Sequence, residues 1–319
     1  MERTVCMKIY SYTPGTEIAE DGTVVALGFF DGVHAAHRRL LKIAKSLANE
    51  LGLTFAVFTF KGEGAGLKGE ARIYSTEEKL SILKSLGTDA VILADFPTVS
   101  GISAEDFVKK CLLDDMKCRA AVAGYDFRFG HSARGNAELL SGLLKEEGAV
   151  CHIESEHKIN GEKISTTKIK ELLRVGDVEA AAKFLGAPYF IRGEVSHGKG
   201  LGKSLGFPTV NSSLGESASV IKGGVYRTAV DISGTLYSAV TNIGTCPTFE
   251  GGEAMHAETY IIDYSGDLYG KNICIYLLGY LREERRFETP DELIMQINVD
   301  KNMAASQNGD LKWLEIGQN

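Results

Sequence analysis

The sequence predicts two domains of different class: an open, mostly parallel α/β sheet over residues 1–186, then an antiparallel β-barrel with a terminal helix over residues 187–319. Three observations carry this. In the first part, short apolar runs alternate with segments of helical periodicity, the pattern of a parallel sheet covered by helices. After about Ala187 the pattern changes to short β-like runs punctuated by Gly, Asn and Pro, as in an antiparallel barrel. A length of 319 residues is long for one core and suits two.

The elements follow in order. TVVALGFF (23–30) is a buried strand ending in a turn. Leu40, Leu41, Ala44, Leu47, Ala48 and Leu51 then recur at helical spacing, and Gly52 closes that helix. LTFAVFTF (53–60) is the next strand, so the three form a right-handed βαβ unit. Ser75 and Glu78 make a capping box before a helix that Gly87 ends. DAVILA (89–94) is a strand. Ser103 opens a helix through Phe107, Val108, Cys111 and Leu112. RAAVAG (119–124) is a strand and 136–147 a helix. The result is a Rossmann-like sheet, whose ligands bind beyond the carboxyl ends of the strands. The barrel strands are YFIRGEV, GVYRTAV, LYSAVTNIG, AETYIIDY and NICIYLLGYL. A final helix covers 290–305, with Leu293, Ile294 and Ile297 apolar.

Hydrophobic content of 44% and charged content of 24% are ordinary for a globular chain. A net charge of −7 argues against general nucleic-acid binding. No apolar run reaches membrane-spanning length, and the N-terminus lacks an apolar signal core. The six cysteines form no C-x-x-C pair and read as reduced thiols of a cytoplasmic protein.

GKGLGKSLGFPTVN (198–211) is the most informative segment. Its glycines, among them Gly198, Gly202 and Gly206, let backbone N–H groups approach an anion, and Lys199 and Lys203 add charge for phosphate. Thr209 and Asn211 supply neutral oxygens of the kind Mg²⁺ accepts beside a nucleotide. No Walker pattern is present. The plain alternative is a surface loop, against which the rigid Phe-Pro-Thr-Val-Asn ending speaks.

In GFFDGVHAAH (28–37), His34 and His37 stand three apart where a strand gives way to a helix. A helix N-terminus attracts phosphate, and two imidazoles there suit hydrogen bonding to ATP. H-x-x-H alone is a weak signal, and a metal site would need a third ligand that no neighbour supplies. In ISTTKIKELL, Ser165 and Thr166 with Lys168 open a helix, either as simple caps or as a second phosphate site. In HAETYIIDY, alternation puts His256, Glu258 and Tyr260 on one strand face. A solvated strand glutamate is the bland reading for Glu258.

These motifs carry a resemblance. GFPTVN is similar to the G-F-P-T-A-N signature of riboflavin kinases, and GGVYRTAV, TNIGTCPTF, HAETYIIDYSGDLYGK and LREERRF follow in that family's order. The N-terminal half resembles the FMN adenylyltransferase module that bacteria fuse to this kinase, through a G-x-F-D-G followed by H-x-x-H, GYDFRFG (124–130) and ISTTKIK. Together they cover roughly residues 20–303 and resemble the bifunctional riboflavin kinase/FAD synthetases.

The resemblance implies ATP, riboflavin and FMN as small-molecule substrates, with Mg²⁺. It makes Glu258 the kinase base, Thr209 and Asn211 the metal and nucleotide contacts, and Arg282 a border of the flavin site. Gly28, Phe30, Asp31, His34 and His37 would hold the second ATP, with Ser165, Thr166 and Lys168 on its phosphates and Asp126 and Phe127 near flavin and nucleotide. Tyr226 and Phe249 either stack on the flavin or pack in the core. Arg282, Arg285 and Arg286 have Glu283, Glu284 and Glu288 as available ion-pair partners. Three positions depart from the family: Ala36 replaces a glycine, Lys168 an arginine, and TFKGEGAG the usual T-F-E-P-H-P. They leave open a monofunctional kinase with a degenerate N-terminal domain. A non-catalytic flavin-binding regulator is the rival from another class. Oligomeric state is not legible.

Overall fold

The computed structural model describes residues 7–19, 21–61, 71–196, 202, 205–247 and 253–306. The chain divides into two compact units, Met1–Glu70 with Thr76–Ile164, and Ala71–Ser75 with Ser165–Asn319.

The first unit is built on a six-stranded sheet. Its order is Lys8–Tyr12, Ala90–Ala94, Thr54–Phe60, Thr23–Leu27, Cys118–Gly124, Val150–Glu154, and every pair is parallel. From Thr23–Leu27 the chain winds outward to Ala90–Ala94, then returns to the other side with Cys118–Gly124. That reversal is a topological switch point, where a crevice opens beyond the strand ends. The two strands that flank it lead into GFFDGVHAAH and GYDFRFG, so topology alone brings both motifs to one crevice.

Apolar burial explains the interior. All five residues of Thr23–Leu27 are buried, as are all five of Ala90–Ala94. The apolar run over 23–30 forms a strand to Leu27 and then the expected turn, in which the backbone at Phe30 is left-handed. The helix Ala35–Leu51 buries Leu40, Leu41, Ala44 and Ala48, and Gly52 ends it with φ 68°. Leu51, expected on the buried stripe, is 49% exposed because the helix finishes there. Ser103 accepts from the Asp106 N–H and starts the helix Ala104–Asp106, which continues as a π-helix over Phe107–Asp115. Lys8–Tyr12 and Val150–Glu154 were not anticipated. As edge strands they bury little beyond Tyr12 and Glu154, and so lack a long apolar run.

The second unit is a closed barrel of antiparallel strands ordered Phe190–Ser196, Thr209–Leu214, Glu253–Ile261, Thr235–Pro247, Gly224–Ile232 and Asn272–Arg282. Inside it, the buried hydroxyls of Thr228, Thr241 and Thr259 satisfy one another at 2.9 and 3.0 Å, as buried polar groups must. The terminal helix Pro290–Ala305 opens on a Thr289 cap with Pro290 at its first position. Thr209–Leu214 was expected as the end of a loop. Its sequence TVNSSL is too polar to read as a strand, yet it forms one. No helix among the described residues is long and apolar enough to cross a membrane.

Candidate active sites

In the first unit the switch-point crevice is built by a strained turn. Gly28 leaves the strand, Phe30 adopts φ 53° and Val33 φ 40°, the latter unusual for a β-branched residue. The turn delivers His34 as the N-cap of Ala35–Leu51, where its Nδ1 accepts the backbone N–H of His37 at 3.3 Å. That bond assigns the ring proton of neutral His34 to Nε2. The two imidazoles stack at 3.6 Å with planes 10° apart. Burial pushes the His34 pKa down to about 4. His37 is held well below the ordinary value, first by burial, then by His34 and by the charge of Lys79. Both rings are therefore neutral near pH 7. The Nδ1 of His37 is buried with no hydrogen-bond partner among the described residues. The Ala35 and Ala36 N–H groups have no intrahelical acceptor, so the helix N-terminus offers donors beside the His34 Nε2–H.

Phe30, expected as an ATP contact, turns its side chain inward. Its side chain is 0% exposed, with its ring edge-on to His37 at 5.1 Å. It also lies under Gly28, where any Cβ would stand 2.9 Å from Phe30 Cζ. The Phe30 ring thus packs beneath His37 and Gly28, which leaves its backbone as the part open to a ligand. Asp31 is likewise buried. Asp126 is exposed beyond the neighbouring strand, 3.4 Å from Lys163 Nζ, and close enough to act electrostatically on His34. Phe127 stacks on Phe129 at 5.6 Å and packs against the core, so only part of its ring remains accessible. Ser165 takes the capping role, accepting the Lys168 N–H at 3.3 Å. Together with Thr166 and Lys168 it opens the helix Thr166–Val175 of the second unit.

In the second unit the site is a patch of barrel wall. Strand register sets Asn211, Glu258 and Asn242 side by side, and in the next row Thr209, Tyr260 and Val240. Directly opposed residues of adjacent strands share a face. Thr209, Glu258, Asn242, Tyr260 and Val240 line a cleft of ≈ 600 Å³, whose other wall includes Phe287, Leu293 and Ile297. The Glu258 side chain is 49% exposed and 4.0 Å from His256 Nε2. Asn242 Nδ2 donates to Glu284 at 2.6 Å, while its Oδ1 is buried without a partner among the described residues. Gly202 closes against the same strand: a Cβ there would fall against the Phe207 carbonyl and 3.1 Å from Thr209 Oγ1. Gly206 has φ 86° and open space around it. Gly198, Lys199, Lys203 and Phe249 lie outside the described residues.

Arg282 lines the cleft, but its guanidinium is held by Asp300 of the terminal helix at 2.8 and 3.1 Å. Gln296 donates to the same carboxylate at 2.8 Å. The glutamates beside Arg282 in LREERRF are therefore not its principal partners. Arg285 bonds Gln296 and lies 4.6 Å over the Phe287 ring. Tyr226, a candidate for flavin stacking, is 0% exposed; its hydroxyl donates to the Lys222 carbonyl, and its ring packs edge-on against Tyr280. Sequence reasoning missed Asn242, Glu284 and Asp300. Asn242 had a signal, since it sits in TNIGTCPTF. Asp300 had none, because an Asp on a polar helix reads as solvated.

No cluster of three His, Cys, Asp or Glu among the described residues is arranged to hold a metal. The hydroxyl, amide and carboxylate oxygens of Thr209, Asn211 and Glu258 do share one face. That set fits a hard cation that takes its other ligands from phosphate and water.

Comparison with known proteins accords with this division. The FAD synthetase family model matches residues 16–168, and the riboflavin kinase model matches residues 185–307. A bifunctional riboflavin kinase/FMN adenylyltransferase of Bacillus subtilis is 35% identical over 290 residues, covering 88% of this chain and 91% of that one. The Escherichia coli K12 protein of that name is 33% identical over 294 residues, covering 90% and 93%. A crystal structure described as a macrolide-efflux protein from Streptococcus pneumoniae superposes with a TM-score of 0.82 at 29% identity, covering 93% of this chain and 98% of that one.

Proposed function

The chain belongs to the bifunctional riboflavin kinase/FMN adenylyltransferase family, and we propose how its residues divide the two reactions. It phosphorylates riboflavin to FMN with ATP, then adenylylates FMN with a second ATP, giving FAD and pyrophosphate. In this reading the adenylyltransferase half runs over residues 1–186 and the kinase half over 187–319; the order of the two matched segments, 16–168 and 185–307, supports two such halves, while residues from Ser165 onward pack with the second unit.

The kinase assignment rests on one observation, the Asn211–Glu258–Asn242 row, in which Glu258 and Asn242 line the cleft and Asn211 stands beside them. The flavin ring lies against the apolar side, at Phe287, Leu293 and Ile297. The ribityl chain reaches across to Glu258, which accepts the 5′-hydroxyl proton as that oxygen attacks the γ-phosphorus and ADP leaves. Thr209 and Asn211 would hold Mg²⁺, whose charge, when bound, offsets that of the triphosphate. Gly202 and Gly206 let the loop backbone come close to the phosphates. Arg282 orders the cleft by tying its strand to the terminal helix.

In the adenylyltransferase half, a phosphate oxygen of FMN attacks the α-phosphorus of ATP, and the bond to the β-phosphate breaks. The His34 Nε2–H and the Ala35 and Ala36 N–H groups donate to the phosphate oxygens as negative charge grows there. His37, stacked on His34, fixes the plane of that ring. Asp126 and the open part of Phe127 border the flavin. The partners are these small molecules, and the setting is cytoplasmic.

The test is product analysis by chromatography with riboflavin, ATP and Mg²⁺. Wild type gives FMN, then FAD. Glu258→Gln makes little FMN yet converts supplied FMN to FAD. His34→Ala accumulates FMN. FAD formation at the wild-type rate by His34→Ala would refute the role of that histidine.

A further inference from the structure

Lys79 lies on the helix Thr76–Ser85 and is 3% exposed. Lysine is almost never fully buried without a task for its charge or its donors. Its Nζ donates to Thr59 Oγ1 at 3.2 Å and to the Phe60 carbonyl at 2.8 Å. Thr59, itself 0% exposed, passes its own hydroxyl proton to the Phe29 carbonyl at 2.8 Å. A hydroxyl accepts one bond while donating another, so the three groups form a directed chain. The chain ends one residue before Phe30, where the strained turn toward His34 begins. The Phe29 ring completes the contact: it stacks on Phe60 at 5.8 Å, with Lys79 Nζ 5.8 Å from its centroid.

We propose that Lys79 is a positioning residue for adenylyl transfer: through Thr59 its buried amine pins the strained turn that carries His34 and His37. The inference rests on those histidines being the phosphate donors. A turn with two non-glycine residues at positive φ relaxes unless its surroundings over-determine it. The Thr59–Phe29 bond joins the ends of two adjacent strands, and the Lys79–Phe60 bond ties the helix Thr76–Ser85 to one of them. A relaxed turn would swing the His34 Nε2–H away from the phosphates, and misplacement of about 1 Å costs on the order of a hundredfold in rate.

The experiment uses the full chain, with FMN, ATP and Mg²⁺ for one reaction and riboflavin phosphorylation as the internal control. Lys79→Met is expected to lower kcat for FAD formation at least about tenfold. FMN-binding stoichiometry, KM for FMN and the kinase rate stay as in wild type. A merely structural role would instead lower the fraction of chains that bind FMN. Lys79→Arg, which retains donors and charge, is expected to recover most of the rate. Thr59→Val, which keeps the lysine and cuts the link, is expected to lose kcat in the same direction. Should Lys79→Met fail to fold, Thr59→Val decides. Wild-type kcat in Thr59→Val, or in a folded Lys79→Met, overturns the proposal. If His34→Ala and His37→Ala also keep wild-type FAD formation, the failure lies in the site itself. If those two lose it, only the pinning role fails.

Discussion

Protonation of His34 is the perturbation whose size the structure sets most directly. The residue is 7% exposed, and burial moves its pKa from 6.5 to about 4. A depressed native pKa means that the unfolded chain binds the proton first. The contribution of His34 to the stability of the first unit is therefore complete above about pH 6.5. It falls away as the pH drops toward 4, and little more is lost below that. At about 1.4 kcal/mol per pH unit, His34 alone accounts for about 3 kcal/mol by pH 4. His37 acts in the same direction. His34→Asn keeps a side-chain cap for the helix but cannot titrate. The assay is urea unfolding at pH 7 and at pH values down to 4, following loss of the folded histidine NMR signals of the first unit. Wild type should lose about 3 kcal/mol more than His34→Asn over that range. A His34 that titrates near 6.5, or equal acid losses in the two proteins, would refute the reasoning. The same neutrality predicts FAD formation without an acid limb near pH 6.5.

Three further outcomes are expected. Glu258→Gln should lower riboflavin phosphorylation by roughly 10²–10⁴-fold while supplied FMN is adenylylated at the normal rate; equal loss of both activities would exclude a local role. Arg282→Met leaves the Asp300 carboxylate, 2% exposed, with the Gln296 amide still donating to it but no guanidinium. That should cost the second unit about 3–5 kcal/mol by calorimetry and raise the KM for riboflavin. Gly28→Ala sets a methyl 2.9 Å from Cζ of the fully buried Phe30 ring. It should destabilise the first unit by about 1–3 kcal/mol, and an unchanged melting temperature would contradict the packing described.

The interior strands and the helices that cover them were legible because burial forces apolar residues into runs and stripes. The motifs were legible because phosphate chemistry needs glycine, histidine and hydroxyl groups at short spacing. Residue order thus determined two domains and their classes, and named Thr209, Glu258 and Arg282 among the residues that line the cleft of the second. Other features have no local signal. The edge strands Lys8–Tyr12 and Val150–Glu154 bury too little to show a pattern, and TVNSSL hides a strand whose first residue, Thr209, lines a cleft. Phe30 sits in a binding motif yet turns inward, since only the fold shows that its ring fills the space beneath Gly28. Asn242 beside Glu258, Asp300 on Arg282 and Lys79 under Thr59 join residues 16, 18 and 20 positions apart. Strand register and helix docking create those contacts. Before the chain closes on itself, nothing distinguishes these side chains from solvated ones. Afterwards the low-dielectric interior makes the contacts of the buried pair members, Lys79 with Thr59 and Asp300 with Arg282, obligatory.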